Sequence, residues 1–303
     1  MPVEYREEPC RSAITKVDGM PFRWSLNPYT GCVHQCTFCY VRGFELRAGR
    51  PSDDRYGASV RVKTNLVERL RVDLARRSWK REQVAIGTAT DPYQPAEGRY
   101  RLTRGAITTL MEFETPFSIV TRGPLIVRDI DVLSEAARRV EVSVNVSVPT
   151  LDDRVWRTTE PHTAPPRQRL EALRRLAVAG VRCGVGMAPI LPGLSDDPDK
   201  LREVVWAARE AGAVFVWWNV VNLRPGTREY FLEHLSRDWP GELERYERLY
   251  ARGAYLRPAQ MGELNATMIE LRSAWVWEPR DPNPPRAATE VPAQRQLSLE
   301  LAS

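Results

Sequence analysis

Cys32, Cys36 and Cys39 fall within one short stretch, Asn27-Pro28-Tyr29-Thr30-Gly31-Cys32-Val33-His34-Gln35-Cys36-Thr37-Phe38-Cys39-Tyr40, and are spaced C-x3-C-x2-C. Only Cys10 and Cys183 occur elsewhere in the 303 residues. Thiolates this close share a metal centre, because soft sulfur ligands select zinc or iron–sulfur clusters. Structural zinc asks for four ligands, commonly from two C-x2-C pairs. Three close cysteines without an obvious fourth suit a [4Fe-4S] cluster that leaves one iron for a non-protein ligand. The competing site is zinc with His34 as fourth ligand, which would require the loop to fold back sharply inside the first cysteine interval. An odd number of cysteines speaks against a disulfide framework and for a reducing compartment. Cys10 reads as an incidental thiol.

The elements that must position this loop follow from periodicity. Phe22–Asn27 alternates as a first strand and delivers the chain into the cysteine loop. A polar loop containing Arg50-Pro51-Ser52-Asp53-Asp54 follows, then helical spacing over Thr64–Trp79, with Thr64 and Asn65 as candidate caps. Short apolar runs recur at Val84–Ala89, Pro116–Thr121, Val140–Val148, Val181–Ala188 and Val214–Val221. Each precedes a helical pattern: Thr103–Glu114, Pro124–Arg139, Pro166–Ala179, Asp199–Ala211 and Arg228–His234. Gly180 and Gly212 suit helix ends. Alternating β and α units imply a parallel sheet, because parallel neighbours need crossover connections. No G-x-G-x-x-G follows the first strand, so the pattern points away from a dinucleotide fold. The other option is an α/β partial (β/α)6 TIM-like barrel, whose sites lie at strand C-termini. Residues 1–21 read as a polar, irregular extension. Glu242–Leu256 and Pro258–Leu271 read as helices packing outside the barrel, and a Pro-rich tail begins at Glu278.

Each strand end carries polar residues: Gly87-Thr88-Ala89-Thr90-Asp91-Pro92-Tyr93-Gln94-Pro95-Ala96-Glu97, Thr121-Arg122-Gly123, Ser143-Val144-Asn145-Val146-Ser147-Val148 and Met187-Ala188-Pro189-Ile190-Leu191-Pro192-Gly193. Any one could be a capped turn. At successive strand ends, they are better explained by a common cofactor cleft. Cys183 begins its strand and reads as a core residue at the opposite end.

The cysteine spacing, with an aromatic before the last cysteine, resembles the radical S-adenosylmethionine (radical SAM) superfamily. The order N-P-Y-x-G-C, T-D-P-Y-Q-P-x-E, T-R, E-P-x-x-A-P-P-x-x-R-L (Glu160 to Leu170) and A-P-I-x-P-G narrows the resemblance to the branch related to spore photoproduct lyase, over about residues 23–222. The resemblance implies the same six-unit partial barrel, placed over 22–235; the pattern and composition add a helical extension at 236–277 and a tail at 278–303. The resemblance also implies a [4Fe-4S] cluster on Cys32, Cys36 and Cys39, with S-adenosylmethionine chelating the fourth iron. Reductive cleavage of the sulfonium would give a 5′-deoxyadenosyl radical. By position, Phe38 and Tyr40 would contact the adenine, and Thr90 and Asp91 would lie near the methionyl group. Arg122 would lie near the carboxylate, where the lyase has a lysine, and Ser147 near the ribose or carboxylate. The chain departs from the lyases at Thr88, which stands where they carry a hydrogen-donating cysteine. A hydroxyl hydrogen is far harder to abstract than a thiol hydrogen, so the lyase's own repair reaction is not the expectation.

Composition sets the remaining expectations. The hydrophobic share is 43% and the charged share 27%, as in a soluble globular protein. No apolar run is long enough to span a membrane, and the charged N-terminus lacks the apolar region of a secretory signal; the expected location is cytoplasmic. Of 44 basic residues only Lys16, Lys63, Lys80 and Lys200 are lysine, and the net charge is +5. Arginine binds phosphate bidentately, so a nucleic-acid substrate and a role in DNA repair are compatible, although the arginines are spread along the whole chain. The terminal Gln296-Leu297-Ser298-Leu299-Glu300-Leu301 resembles short peptides that dock on the bacterial sliding clamp. The resemblance also implies an electron donor such as flavodoxin or ferredoxin. Two further readings stand beside this one: the same radical generator acting on a small molecule or peptide, and a non-catalytic iron–sulfur scaffold recruited by its tail.

Overall fold

The computed structural model describes residues 3–274; the Pro-rich tail from Glu278 and its Gln296–Leu301 peptide lie outside the described residues. The strands are β1 (Glu4–Glu8), β2 (Ile14–Lys16), β3 (Trp24–Leu26), β4 (Tyr29–Thr30), β5 (Ser59–Lys63), β6 (Val84–Ile86), β7 (Phe117–Thr121), β8 (Val142–Ser147), β9 (Cys183–Ile190) and β10 (Phe215–Val220). The helices are α1 (Arg42–Arg47), α2 (Leu66–Leu74), α3 (Ala96–Tyr100), α4 (Leu102–Glu112), α5 (Ile130–Ala137), α6 (Asp153–Thr159), α7 (Pro166–Val178), α8 (Pro198–Glu210), α9 (Thr227–Asp238), α10 (Leu243–Leu249) and α11 (Gly262–Ser273).

Strands β3, β6, β7, β8, β9 and β10 pair in parallel in that order, and β2 adds an antiparallel edge beside β3. The six-unit partial barrel is therefore present. Its two faces differ in chemistry. In β8, Val142, Val144 and Val146 are buried and continue the aliphatic layer of Phe117, Ile119, Val185 and Met187 beneath the helices. Ser143, Asn145 and Ser147 point the other way, because side chains alternate along a strand. The inner face is thus polar and small where an ordinary barrel interior is packed with branched aliphatics.

Helix ends follow local chemistry. Asp152 caps α6 by accepting from the amides of Arg154 and Val155 at 2.9 and 3.0 Å. Asp197 caps α8, with Pro198 at its first turn. Gly180 and Gly212 take the left-handed conformation just past α7 and α8, as their type suggests. Cys183 is buried on the aliphatic side at the start of β9.

Several expectations need correction. The first 21 residues contain β1 and β2, and β1 pairs in parallel with β5, a strand periodicity missed, in a small sheet with β4. The sequence of β1, EYREE, has no apolar alternation because only Tyr5 of this edge strand leans on the main core, the other four side chains being exposed. Asn65 does not cap α2; its amide holds the backbone of Cys10 through bonds of 2.7 and 3.1 Å, and the helix ends at Leu74. The expected helix Pro124–Arg139 is a 3-10 segment, Pro124–Asp129, followed by α5, since buried Asp129 at the junction is tied to Arg104 and Arg128. The helices expected over Glu242–Leu256 and Pro258–Leu271 are the shorter α10 and α11, each led by a 3-10 turn that begins at a proline.

Candidate functional site

The cysteine loop leaves the C-terminal end of β3 and β4 and is anchored from two sides. Gly57 approaches the backbone of Cys32 so closely that a Cβ would stand 2.4 Å from the Cys32 carbonyl, and its φ of +83° suits glycine. Beneath the loop lies Arg42, a residue that sequence reasoning passed over. Its guanidinium is fully buried, and no carboxylate among the described residues pairs with it. It donates to the carbonyls of Ser52 (2.7 Å), Asp53 (2.9 Å), Gln35 (3.3 Å) and Cys36 (3.4 Å). It also stacks on Tyr230 at 3.4 Å and Tyr56 at 4.7 Å. One cation thus ties the cysteine loop to the segment that returns towards β5.

The second anchor comes from the strand end that contains Thr90 and Asp91. Thr90 donates to the Gly31 carbonyl at 2.7 Å. Gln94 bridges Gly31, Val33 and Thr90. Glu97, buried, accepts from Tyr29 at 2.5 Å, from the Thr103 amide and from Arg128. Asp91 is buried and surrounded by donors: the Tyr93 amide (2.8 Å), the Thr121 hydroxyl (2.6 Å), the Arg122 amide (2.7 Å) and His34 Nδ1 at 3.3 Å. Thr90 and Asp91 therefore join the loop to the second and third barrel strands. His34, weighed in the sequence as a zinc ligand, turns to this carboxylate. Burial opposes its charge, but Cys32 and Asp91 outweigh that and raise its pKa to about 10.

Burial would raise the Asp91 pKa, yet His34, Thr121 and the Arg122 amide hold it at about 2, against an ordinary 3.8. Because the native value is the lower one, the carboxylate stabilises the fold above pH about 4 and loses that contribution as pH falls towards 2, worth about 2 kcal/mol. The urea midpoints of wild type and Asp91→Asn should differ by a constant amount between pH 4 and 6 and converge below 4. A gap unchanged at pH 3 would show that the charge is not what the network uses.

Arg122 lies at the end of β7 over the ring of Phe38 (5.6 Å). It donates to Glu160 at 2.5 Å and to the Ala188 carbonyl at 2.9 Å. Glu160, fully buried, also meets Arg169 at 3.0 Å, and Arg169 donates to the Ser147 carbonyl at 3.0 Å. Burial works against the Glu160 carboxylate, but the two arginines hold its pKa below the ordinary value. Two arginines and one glutamate leave one net positive charge beside the cysteines. Glu160 and Arg169 stood in a quoted motif, but only their meeting in space shows what they do. Phe38 is packed among Leu191, Leu194, Val221 and Phe231. Tyr40 is 40% exposed at the mouth, with its hydroxyl against the Thr88 carbonyl. Thr88 itself shares a hydroxyl cluster with Ser25 (2.5 Å) and the Asn27 amide. Ser147 is buried at the end of β8.

The donor set fits a cluster. Cys32, Cys36 and Cys39 form no disulfide and lie within electrostatic reach of one another, with Arg122 beside Cys36 and Arg42 beside Cys39. Among the described residues no group of three or more His, Cys, Asp or Glu is placed to hold a single metal ion; in a [4Fe-4S] cluster each thiolate would instead take an iron of its own. Burial pushes the Cys36 and Cys39 thiols up, so loading would release protons.

Comparison with known proteins agrees with this geometry. The Radical SAM superfamily model matches residues 26–205. An uncharacterized protein of Mycobacterium tuberculosis is 39% identical over 301 residues, covering 97% of this chain and 88% of its own length. An uncharacterized protein of Methanocaldococcus jannaschii is 25% identical over 243 residues, covering 80% of this chain and 85% of its own. Among solved structures, a mutant spore photoproduct lyase with bound AdoMet and dinucleoside spore photoproduct superposes with a TM-score of 0.63 at 16% identity, over 88% of this chain and 78% of that one. That likeness concerns the fold. Among the described residues no helix is long and apolar enough to cross a membrane. With the family model covering most of the barrel and the cysteine loop at its head, the chain belongs to the radical SAM superfamily.

Proposed function

We propose that this protein is a radical SAM enzyme that cleaves S-adenosylmethionine reductively and acts on nucleic acid. The observation that carries the reading is the placement of three free cysteines at the strand ends of a barrel with a polar inner face, beside a buried Arg122–Glu160–Arg169 cluster of net positive charge. Cys32, Cys36 and Cys39 would hold a [4Fe-4S] cluster. When bound, that cluster and S-adenosylmethionine supply one-electron cleavage of the sulfonium to a 5′-deoxyadenosyl radical.

The chain's own residues orient and enclose. Arg122 offers its forked cation to a carboxylate, while Glu160 fixes its direction. Tyr40 stands at the mouth, Phe38 lies buried beneath Arg122, and Thr90 and Asp91 keep the loop at a set height above the strand ends. Ser147 offers a hydroxyl beside them. Thr88 brings no abstractable thiol hydrogen, so the final hydrogen comes from elsewhere and the reaction differs from that of the lyase. The arginine-rich basic side chains support a phosphate-bearing substrate, and flavodoxin or ferredoxin is the class of donor that would deliver the electron.

Anaerobic reconstitution with iron and sulfide, then dithionite and S-adenosylmethionine, should yield 5′-deoxyadenosine, faster with DNA present. No 5′-deoxyadenosine would remove the enzymatic reading and leave an iron–sulfur scaffold. Stimulation by small-molecule or peptide extracts instead of DNA would move the substrate to that class, which Thr88 also allows. The tail peptide Gln296–Leu301 is proposed to dock on the sliding clamp. A pull-down should retain the full chain and lose one truncated at Arg295, and equal retention rejects the contact.

A further inference from the structure

The inner face of β8, β9 and β10 is built in rows. Parallel pairing places Asn145, Gly184 and Phe215 in one row, and Ser147, Gly186 and Trp217 in the next. The second row is level with the C-terminal end of β8, where Ser147 ends the strand and Arg122 stands just beyond β7. The aromatic rings of β10 do not stand up from the sheet. A Cβ on Gly184 would lie 2.2 Å from the Phe215 ring, and one on Gly186 would lie 2.7 Å from the Trp217 ring. Both rings therefore lie flat across β9, over the two positions that carry no side chain. The indole reaches β8, where its Nε1 donates to Asn145 Oδ1 at 2.8 Å, and Asn145 is itself held by the Ile119 carbonyl at 3.3 Å.

Trp218, one residue on, faces the helix layer and donates to Asn265 of α11 at 2.9 Å. Trp217 thus looks into the barrel, and it remains 37% exposed. A ring with one face pressed on backbone and its edge tied by a hydrogen bond has a fixed plane. With one face covered, its exposure comes from the outer face and the edges, on an inner barrel wall that also carries Ser118, Ser143 and Ser147. An indole needed only for packing would have both faces covered.

We propose that Trp217 is a stacking platform for a nucleobase of the substrate and a determinant of its specificity; this deepens the proposed nucleic-acid reading and rests on it. A base suits the site better than a phenyl ring because the surroundings of the platform are hydroxyl and amide rather than aliphatic, and a base carries polar edges to meet them. Base–aromatic stacking is tolerant of sequence, so the platform selects planar bases as a class, and the serines around it supply preference among them.

The test uses the cluster-loaded, full-length protein with S-adenosylmethionine, and equilibrium dialysis of radiolabelled deoxydinucleotides alongside N-acetyl amides of tyrosine and tryptophan. Deoxydinucleotides should be retained by wild type. Trp217→Ala should weaken their binding at least tenfold, about the loss expected when one stacked base loses its ring, and Trp217→Phe should fall between the two. Retention of S-adenosylmethionine by the same variants reports that the barrel is intact. Gly186→Val, which lifts the indole without removing it, should weaken binding as well. Unchanged dinucleotide binding in Trp217→Ala overturns the platform, and retention of the amino-acid amides in place of dinucleotides overturns the nucleobase. Dinucleotide binding without 5′-deoxyadenosine formation would sink the catalytic reading alone and leave the platform standing.

Discussion

Alanine at Cys32, Cys36 or Cys39 is expected to leave a folded chain that holds less than about one iron per protein and forms no 5′-deoxyadenosine above background. Each thiolate would bind a separate iron, so two ligands cannot keep the cubane, and the loss at any one position should equal the loss at all three. Such non-additivity marks groups that act as a unit. The fold should survive because the loop is anchored by other residues: Arg42 through backbone carbonyls, and Thr90 and Gln94 through Gly31. Far-ultraviolet dichroism and the urea midpoint report the fold, iron analysis and visible absorption report the cluster, and chromatography reports the product. Wild-type iron content in any one variant would remove that cysteine from the ligand set. Cys10→Ala and Cys183→Ala serve as controls. Cys10 lies beside Asn65, and Cys183 is buried against the helices, so both variants should keep full iron.

The second large effect is expected at Arg42. Removing the guanidinium strips hydrogen bonds from the carbonyls of Gln35, Ser52 and Asp53 and opens a hole between Tyr56 and Tyr230. A buried acceptor left without a donor costs about 1–3 kcal/mol, so Arg42→Met should lower stability by about 3–5 kcal/mol, at the upper end for a single substitution. Cluster content should fall with it, because Cys36 and the Gln35 backbone beside it are held by the same side chain. Arg42→Lys keeps the charge but not the planar fork. It should recover about half of the stability at most, since an ammonium cannot reach four carbonyls and stack on two rings. Denaturant titration of the three proteins, followed by iron analysis after reconstitution, checks both parts. A lysine variant as stable as wild type would mean that charge alone holds the loop.

The two effects divide the site into what binds and what positions. The cysteines were legible because their chemistry is local: three soft ligands in one short loop need no partner from elsewhere to be recognised. The six βα units were legible for a related reason. Alternation in VSVNVS and helical spacing in PRQRLEALRRLAV are properties of contiguous residues. Strand β1 was not legible, because its pairing with β5 is made by backbone groups and all its side chains but Tyr5 are exposed. Asn65 was misplaced because an amide suited to capping serves equally well to hold a distant chain segment, here that of Cys10.

The sequence by itself determined the alternating βα units of the barrel and the clustering of three soft ligands in one loop after its first strand, since both depend on residue type and spacing along the chain. Only the tertiary structure decided which polar residues serve the site. His34 meets Asp91, Glu160 meets both Arg122 and Arg169, and Trp217 lies across Gly186 to reach Asn145. Each is a contact between different strands or loops. Whether a buried charge is paired, or a ring is open on one face, depends on what the fold brings beside it.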